Sequence, residues 1–539
     1  MKQSLTALLL LAGCATAAPA PVLDRGVVAS PEPHASAVGA DVLRRGGNAV
    51  DAAVAVHFAL AVTFPNAGNL GGGGFMLAWV DGRPAAIDYR ETAPAAATRD
   101  MFLGADGEVV PRRSLDTALA VGVPGSVAGM ALAHRRFGTL PWRDLLQPAI
   151  RLAEDGWIVD DWSGRSFASE TRNNFREFFN VRAGERLVQK DLARTLRRIA
   201  ERGADGFYRG ATARLIAEEM QRSGGLITEA DLARYEAKER APVRGTYRGL
   251  EVVSMPPPSS GGVALLQLLQ MLEPRPIPPF HSAPHIHFFA ELEKRVFADR
   301  SHHLGDPDVV NVPVAGLTAR KYAVERSWDL EYDRRSDPSS IRPGVPEETT
   351  HFSIVDRWGN AVANTTTLNG NYGCGLVVRG AGFLLNNEMD DFSAKPGAPN
   401  MFGATGGAAN AIAPGKRMLS SMTPTIVLRD GRPWLVLGTP GGTTIFTSVF
   451  QVIVNRVDYK MPLPEAVAAP RFHHQWPPLK AGEDPIFFEQ EPAARAELEK
   501  LGYAIRLRGR IGDVQAVEID GRSARGVSDP RGIGLVSAE

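Results

Sequence analysis

The sequence predicts a mixed α/β (α+β) protein, and three features of its patterning point there. Apolar residues recur at helical spacing from about Leu119 to Leu292, with charged opposite faces such as Asp191 to Arg202. The last third changes to hairpin signals, short alternating runs joined by Asp-Arg-Trp-Gly-Asn at 356–360 and by Asp430-Gly431. No Ser/Gly/Pro-rich linker or charge block divides the middle of the 539 residues, so no domain boundary is marked.

From Ala35 to Val62 the chain reads as two helices broken at Gly46-Gly47. The second, Ala49 to Val62, is nearly all apolar and is expected to be buried on most faces. Pro65 to Gly74 contains Gly-Asn-Leu-Gly-Gly-Gly-Gly. It lacks Gly-Lys-Ser/Thr and follows a helix rather than a strand, so it reads as close backbone packing instead of a phosphate cradle. Phe75–Val80 and Ala85–Tyr89 form a strand pair turning at Asp81-Gly82, which delivers Arg90 and Glu91 at a strand end. Met255-Pro-Pro-Pro-Ser-Ser-Gly-Gly262 is a rigid turn, because prolines fix φ and glycines release it; a helix follows from about Val263 to Leu272. Phe352–Val355 then pairs with Ala361–Leu368, and Thr425–Arg429 with Trp434–Gly438.

With 44% hydrophobic and 22% charged residues the chain has ordinary globular composition. Sixty basic residues balance sixty acidic ones and no Lys/Arg-rich run occurs, which argues against nucleic acid as a partner and suits a small zwitterionic or neutral substrate. Lys2 precedes the apolar run Leu5 to Ala12, followed by small residues, which reads as a secretory signal too short to span a bilayer. Leu11-Ala12-Gly13-Cys14 resembles a bacterial lipoprotein box, making residues 1–13 the signal peptide and Cys14 a lipid anchor. Ordinary cleavage after Ala17 or Ala18 is the alternative. Either route predicts a periplasmic protein, anchored to the outer membrane on the first route, and leaves Cys374 without an intramolecular partner.

Strand alternation places Thr349, His351 and Ser353 on one face, and Thr365, Thr367 and Asn369 on one face of the partner strand. Thr is favoured in strands, so Thr349 taken singly reads as a structural residue. A threonine hydroxyl becomes a nucleophile only when activated, and one route is to cut the chain before it so that its own amine serves as base. Other polar groups lie in suitable contexts. Asn386 to Asp391 supplies amides and carboxylates after a strand, and Ser420-Ser421 opens another. The strand–glycine–helix junction at Gly441-Gly442 presents backbone N–H groups suited to an oxyanion. His285, His287, His302, His303, His473 and His474 include no His-Glu-x-x-His pattern and read as structural, so no metal and no cofactor is expected.

Several long runs, in order, resemble the gamma-glutamyltransferase (gamma-glutamyltranspeptidase) family, bacterial type. They are Thr349-Thr-His-Phe-Ser-Ile-Val-Asp356, Asn386-Asn-Glu-Met-Asp-Asp-Phe-Ser393, Leu419-Ser-Ser-Met-Thr-Pro-Thr425 and Pro440-Gly-Gly442. In the first half, Gly46-Gly-Asn-Ala-Val-Asp-Ala-Ala-Val54, Gly68-Asn-Leu-Gly-Gly-Gly-Gly-Phe-Met76 and Met255 to Gly262 match as well, so the resemblance spans about Gly26 to Pro530. It implies an N-terminal-nucleophile hydrolase, an αββα sandwich made as an inactive precursor. Thr349 would attack the carbonyl of Glu348, giving a large subunit 14–348 and a small subunit 349–539 that form one composite fold as a heterodimer.

The resemblance also implies the chemistry. The Thr349 hydroxyl, with its α-amine as base, would attack the γ-amide of glutathione or a related γ-glutamyl compound and pass the acyl group to water, an amino acid or a dipeptide. Thr367 would orient the nucleophile, and Gly441 and Gly442 would hold the oxyanion. Arg90, Ser420 and Ser421 would bind the substrate α-carboxylate; Asn369, Glu388 and Asp391 would bind its α-ammonium. One position departs from the pattern: Phe402 stands where the lid loop of the bacterial enzymes carries a tyrosine that hydrogen-bonds the asparagine matching Asn369. Two other readings are a glutaryl/cephalosporin-type acylase of the same fold, whose substrate lacks the amine, and a non-catalytic periplasmic lipoprotein.

Overall fold

The computed structural model describes residues 22–337, 350–401, 406–477 and 482–539. Cys14, the Glu348–Thr349 pair and Phe402 lie outside the described residues.

Thirteen strands build two facing sheets: β1 (Val27–Ser30), β2 (Gly73–Val80), β3 (Arg83–Asp88), β4 (Lys238–Arg240), β5 (Val243–Tyr247), β6 (Leu250–Ser254), β7 (Thr350–Val355), β8 (Ala361–Thr367), β9 (Thr425–Arg429), β10 (Arg432–Gly438), β11 (Gln515–Asp520), β12 (Ser523–Ser528) and β13 (Leu535–Ala538). The seven-stranded sheet runs β13-β1-β7-β8-β2-β3-β4 and the six-stranded sheet β12-β11-β10-β9-β6-β5. Every pairing within the two is antiparallel.

Alternation along the strands divides the apolar residues between two surfaces. Phe75, Leu77, Val355 and Ala363 of one sheet meet Val253, Ile426, Val436 and Val517 of the other in a core between the sheets. Phe352, Ile354 and Val362 point outward onto a helical layer. That layer is led by α1 (Pro33–Arg44) and α2 (Ala49–Thr63), with helices such as Trp142–Asp155 and Lys190–Arg202 behind. The outer face of the second sheet carries α3 (Gly261–Leu272), α4 (Ala283–His303) and α5 (Thr444–Val457). Helix, sheet, sheet, helix is the αββα sandwich expected from the resemblance.

Local chemistry explains these elements. Every residue of α2 is buried, as its uniform apolarity requires, and Asn48 with Asp51 closes a capping box at its start. The Arg83–Asp88 and Arg432–Gly438 strands follow turns at Asp81-Gly82 and Asp430-Gly431 whose residues all have positive φ. The helical reading of 119–292 fails between Lys238 and Ser254, where β4, β5 and β6 lie. There Arg248 and Gly249, at φ 51° and 81°, make a tight hairpin turn between β-branched runs, and strand pairing overrides helical spacing.

Candidate active site

The site forms at one end of the sandwich, where β7 and β2 begin and β8 and β10 end. The glycine-rich loop makes this end compact. A Cβ on Gly72 would sit 2.0 Å from the Thr367 carbonyl oxygen, and one on Gly71 would sit 2.1 Å from that of Leu384. Asn69 fastens the loop: its Nδ2 donates to the Thr367 carbonyl at 2.8 Å and to Thr366 Oγ1 at 3.1 Å. Its Oδ1 accepts from Gly72 N at 3.0 Å and from Ser126 Oγ at 2.6 Å.

Thr349 immediately precedes β7, whose first residue, Thr350, is buried with no hydrogen-bond partner for its hydroxyl among the described residues. The expected cross-strand polar cluster is present between the sheets. His351 pairs opposite Thr365, with its Nδ1 2.9 Å from Thr365 Oγ1 and its Nε2 3.0 Å from Ser353 Oγ. Burial lowers the His351 ring to about 3, so it stays neutral and is no base at physiological pH. Thr367 ends β8, and its Oγ1 accepts from Asn369 N at 2.7 Å. Asn369 adopts φ 72°, a left-handed turn that asparagine tolerates, and its Nδ2 donates to the Asn387 carbonyl at 3.0 Å and to Met401 Sδ at 3.8 Å.

The acidic strap does not follow a strand as the sequence reading held. Leu384 and Leu385 make single bridges to Val377 and Gly71, and Glu388–Asp391 is one 3₁₀ turn. Asn386 holds it in place by donating to the carbonyls of Gly71 at 2.7 Å and Gly122 at 2.9 Å, while its Oδ1 accepts from Glu388 N at 3.0 Å. Ser420-Ser421 likewise opens no strand: Ser420 bridges Ser259, and β9 begins only beyond Pro424, which has no N–H to give a ladder.

The substrate-binding candidates converge. Arg90, fully buried just past β3, donates to Glu388 through Nη1 and to Asp391 through Nη2. It also donates to the carbonyls of Met418 at 3.2 Å and Leu419 at 3.1 Å, the residues leading into Ser420. Glu91 Oε2 lies 3.7 Å away. Ser420 Oγ accepts from Met422 N at 3.1 Å, and Ser421 Oγ accepts from Arg300 Nη2 at 2.9 Å. Arg300, whose Nε donates to Ser260 Oγ at 2.6 Å, escaped the sequence reading, because nothing in helical spacing shows that its position on α4 faces Ser421. The cluster therefore sets two guanidiniums among three carboxylates and three serine hydroxyls, an arrangement able to take opposite charges side by side.

Gly441 and Gly442 occupy the β10–α5 junction as expected, at φ 134° and 66°. The Gly441 carbonyl accepts from Thr444 N at 3.1 Å and Thr444 Oγ1 at 2.6 Å, fixing the first turn. Among the described residues, no acceptor is found for either glycine N–H. A cavity of about 150 Å³ opens beside Thr350, Asn369 and Gly441. Elsewhere, Cys374 is buried and free, its thiol pushed up to about 11 by burial. His287 hydrogen-bonds Tyr503 Oη at 2.8 Å and His474 bonds Asp484 at 2.6 Å. No group of three or more potential metal ligands is assembled among the described residues.

Residues 35–538 match the family model described as Gamma-glutamyltranspeptidase. The chain is 51% identical to a glutathione hydrolase proenzyme of Pseudomonas aeruginosa, over 97% of this chain and 96% of the relative. It is 49% identical to a glutathione hydrolase proenzyme of Escherichia coli, over 95% and 92%. Among solved structures, a cephalosporin acylase from Bacillus halodurans superposes with a TM-score of 0.83 at 26% identity, covering 98% of this chain and 99% of that one.

Proposed function

The chain belongs to the gamma-glutamyltranspeptidase family, and on that premise we propose that it is a γ-glutamyl hydrolase and transferase acting on glutathione and related compounds. One observation carries the substrate assignment: Arg90, Glu388, Asp391, Ser420 and Ser421 lie together in one buried cluster at the strand end that Thr349 precedes. Arg90 is paired with the two carboxylates. A γ-glutamyl group brings both matching charges. Its α-carboxylate takes the donors of Arg90 and the hydroxyls of Ser420 and Ser421, and its α-ammonium takes Glu388, Asp391 and the Asn369 side chain. The exchange leaves no buried charge without a partner.

The precursor is inferred to cleave itself between Glu348 and Thr349, leaving a heterodimer of large and small subunits. The freed α-amine, with an ordinary pKa near ~8, removes the hydroxyl proton as Thr349 Oγ attacks the γ-carbonyl. Gly441 and Gly442 N–H stabilise the oxyanion, a contribution of about 3–4 kcal/mol per donor, while Thr367 aligns the nucleophile. Collapse passes that proton from the Thr349 α-ammonium to the leaving nitrogen, expels the amine and leaves the γ-glutamyl-Thr349 ester. Water or an amino acid or dipeptide amine then takes the acyl group. Phe402, outside the described residues, brings to the sequence a ring without the hydroxyl of a lid tyrosine. A signal peptide, and a lipid at Cys14, would place the enzyme in the periplasm on the outer membrane.

The acylase reading rests on a shared fold, but a glutaryl side chain has no amine to satisfy Glu388 and Asp391, whose burial favours the γ-glutamyl substrate. The decisive experiment is Thr349→Ala, followed by denaturing gel and by turnover of γ-glutamyl-p-nitroanilide against its glutaryl analogue. The variant is expected to stay one chain with no activity. Two bands from it, or faster turnover of the glutaryl compound by the unmodified protein, would overturn the proposal.

A further inference from the structure

Three consecutive side chains of the piece before the proposed cut, Arg172, Asn173 and Asn174, reach the backbone just beyond Asn369. Arg172 Nη2 donates to the Asn371 carbonyl at 2.7 Å and Nη1 to that of Gly373 at 2.8 Å. Asn173 Nδ2 donates to the Cys374 carbonyl at 2.8 Å. Asn174 donates to the Val377 carbonyl at 2.9 Å and accepts from its N–H at 2.8 Å. The guanidinium is itself set in place, because the buried Glu170 accepts from Arg172 Nε with both oxygens, at 3.0 and 3.1 Å.

The backbone they hold needs such support. Asn369, Tyr372, Gly373 and Gly375 all have φ between 56° and 78°. Glycine and asparagine tolerate this region, but a tyrosine takes it only where its surroundings over-determine it. Tyr372 N donates to the Asn66 carbonyl at 2.9 Å, and its hydroxyl hydrogen-bonds Ser166. Its ring centroid lies 4.6 Å from that of Phe175 and 6.1 Å from that of Phe167, on the two short helices that flank Arg172. Only Gly370 separates Asn371 from Asn369, and Gly370 N donates to Asn387 Oδ1 at 2.9 Å, beside Glu388. Asn369 is buried, and its Oδ1 has no hydrogen-bond partner among the described residues, so an acceptor stands where a cation would be received.

We propose that Arg172 is a positioning residue for donor recognition: by holding the Asn371 and Gly373 carbonyls it fixes where Asn369 presents Oδ1 to the substrate α-ammonium. The inference rests on the functional reading above. The α-ammonium keeps its charge throughout the reaction, so displacing Asn369 weakens ground state and transition state alike. Donor KM then rises while kcat is nearly unchanged.

The test measures KM and kcat with γ-glutamyl-p-nitroanilide, and Ki for L-glutamate and for glutarate, which differ only in the α-amine. Arg172→Met is expected to raise donor KM and the L-glutamate Ki about tenfold, the scale of one hydrogen bond to a charged group, and to leave the glutarate Ki unmoved. Asn369→Ala should raise the same two constants by a similar factor. In the double variant the second change should add nothing, because one residue acts through the other. Arg172→Lys, which reaches one carbonyl at a time, should give an intermediate rise, and it carries the test if Arg172→Met does not process. Equal rises in both Ki values, multiplying effects in the double variant, or failure of both Arg172 variants to process would make Arg172 a general support of the fold and overturn the positioning role. Absence of p-nitroaniline release from the unmodified enzyme would instead overturn the functional reading, and this inference with it.

Discussion

Gly72 gives the sharpest test of how the glycine-rich loop serves the site. Its φ is not in the left-handed region, so alanine is excluded there by space rather than by backbone preference. The added Cβ would fall 2.0 Å from the Thr367 carbonyl and 2.8 Å from Asn69 Oδ1. Ordinary contact begins near 3.4 Å, so the loop and the end of β8 must part by about 1.4 Å. The loop has little freedom to yield: Gly72 N donates to Asn69, and the Gly72 carbonyl accepts from Gly125 N at 2.8 Å and Ser126 N at 3.0 Å. Much of the movement therefore falls on Thr367. A misplacement of about 1 Å at a reacting centre costs on the order of 100-fold in rate, and overpacking of this kind costs about 1–3 kcal/mol of stability. Gly72→Ala is thus expected to fold, to process slowly on a gel time course, and to turn over γ-glutamyl-p-nitroanilide about 100-fold more slowly. Gly316→Ala, where no atom lies within 4 Å of the added carbon, is the control and should behave normally. A Gly72→Ala protein that processes and turns over at the unmodified rate would refute the claim that this loop positions Thr367.

Two further outcomes are expected. Burial pushes Asp513 up to about 6 despite Arg510, Arg471 and Gln515 nearby, with Asp529 adding to the rise. A carboxyl whose folded pKa lies above its unfolded value of about 4 supports the fold fully below that value and loses this support as pH rises through 6, about 3 kcal/mol for two units. Asp513→Asn should therefore gain stability relative to the unmodified protein between pH 4 and 7 in urea titrations; a difference that stays flat with pH would contradict the assignment. Arg90→Met strands Glu388 and Asp391 in the interior and should cost about 3–5 kcal/mol, lowering Tm and raising donor KM. Adding Asp391→Asn should restore part of the Tm but not the KM, and restoration of both would remove Arg90 from substrate binding.

Much of this architecture could be read in advance where the determinants are local. Gly46-Gly47 separates α1 from α2, and paired aspartate–glycine turns mark the β2–β3 and β9–β10 hairpins. The partners of β1 could not be read: Val27 pairs with both Ala538 and Val355, choices made by tertiary packing across the chain. The same division holds at the site. Glycines, threonines and the acidic run carry a recognisable order, so Thr367, Glu388, Asp391 and the Gly441-Gly442 junction were legible. Arg300 was not, because an arginine on a long helix looks like solvated surface until the fold turns it onto Ser260 and Ser421.

The order of strands has a consequence for the life of the molecule after the proposed cut. With the break before Thr349, β1 of the large piece lies between β7 and β13, the first and last strands of the small one, and the second sheet joins β9 of one piece to β6 of the other. The two pieces are thus interleaved rather than docked, and neither has a separable core. Refolding changes molecularity, from an event within one chain to an encounter of two, with the loss of translational freedom that association entails. The precursor can recover from unfolding alone; the mature enzyme depends on how slowly it comes apart.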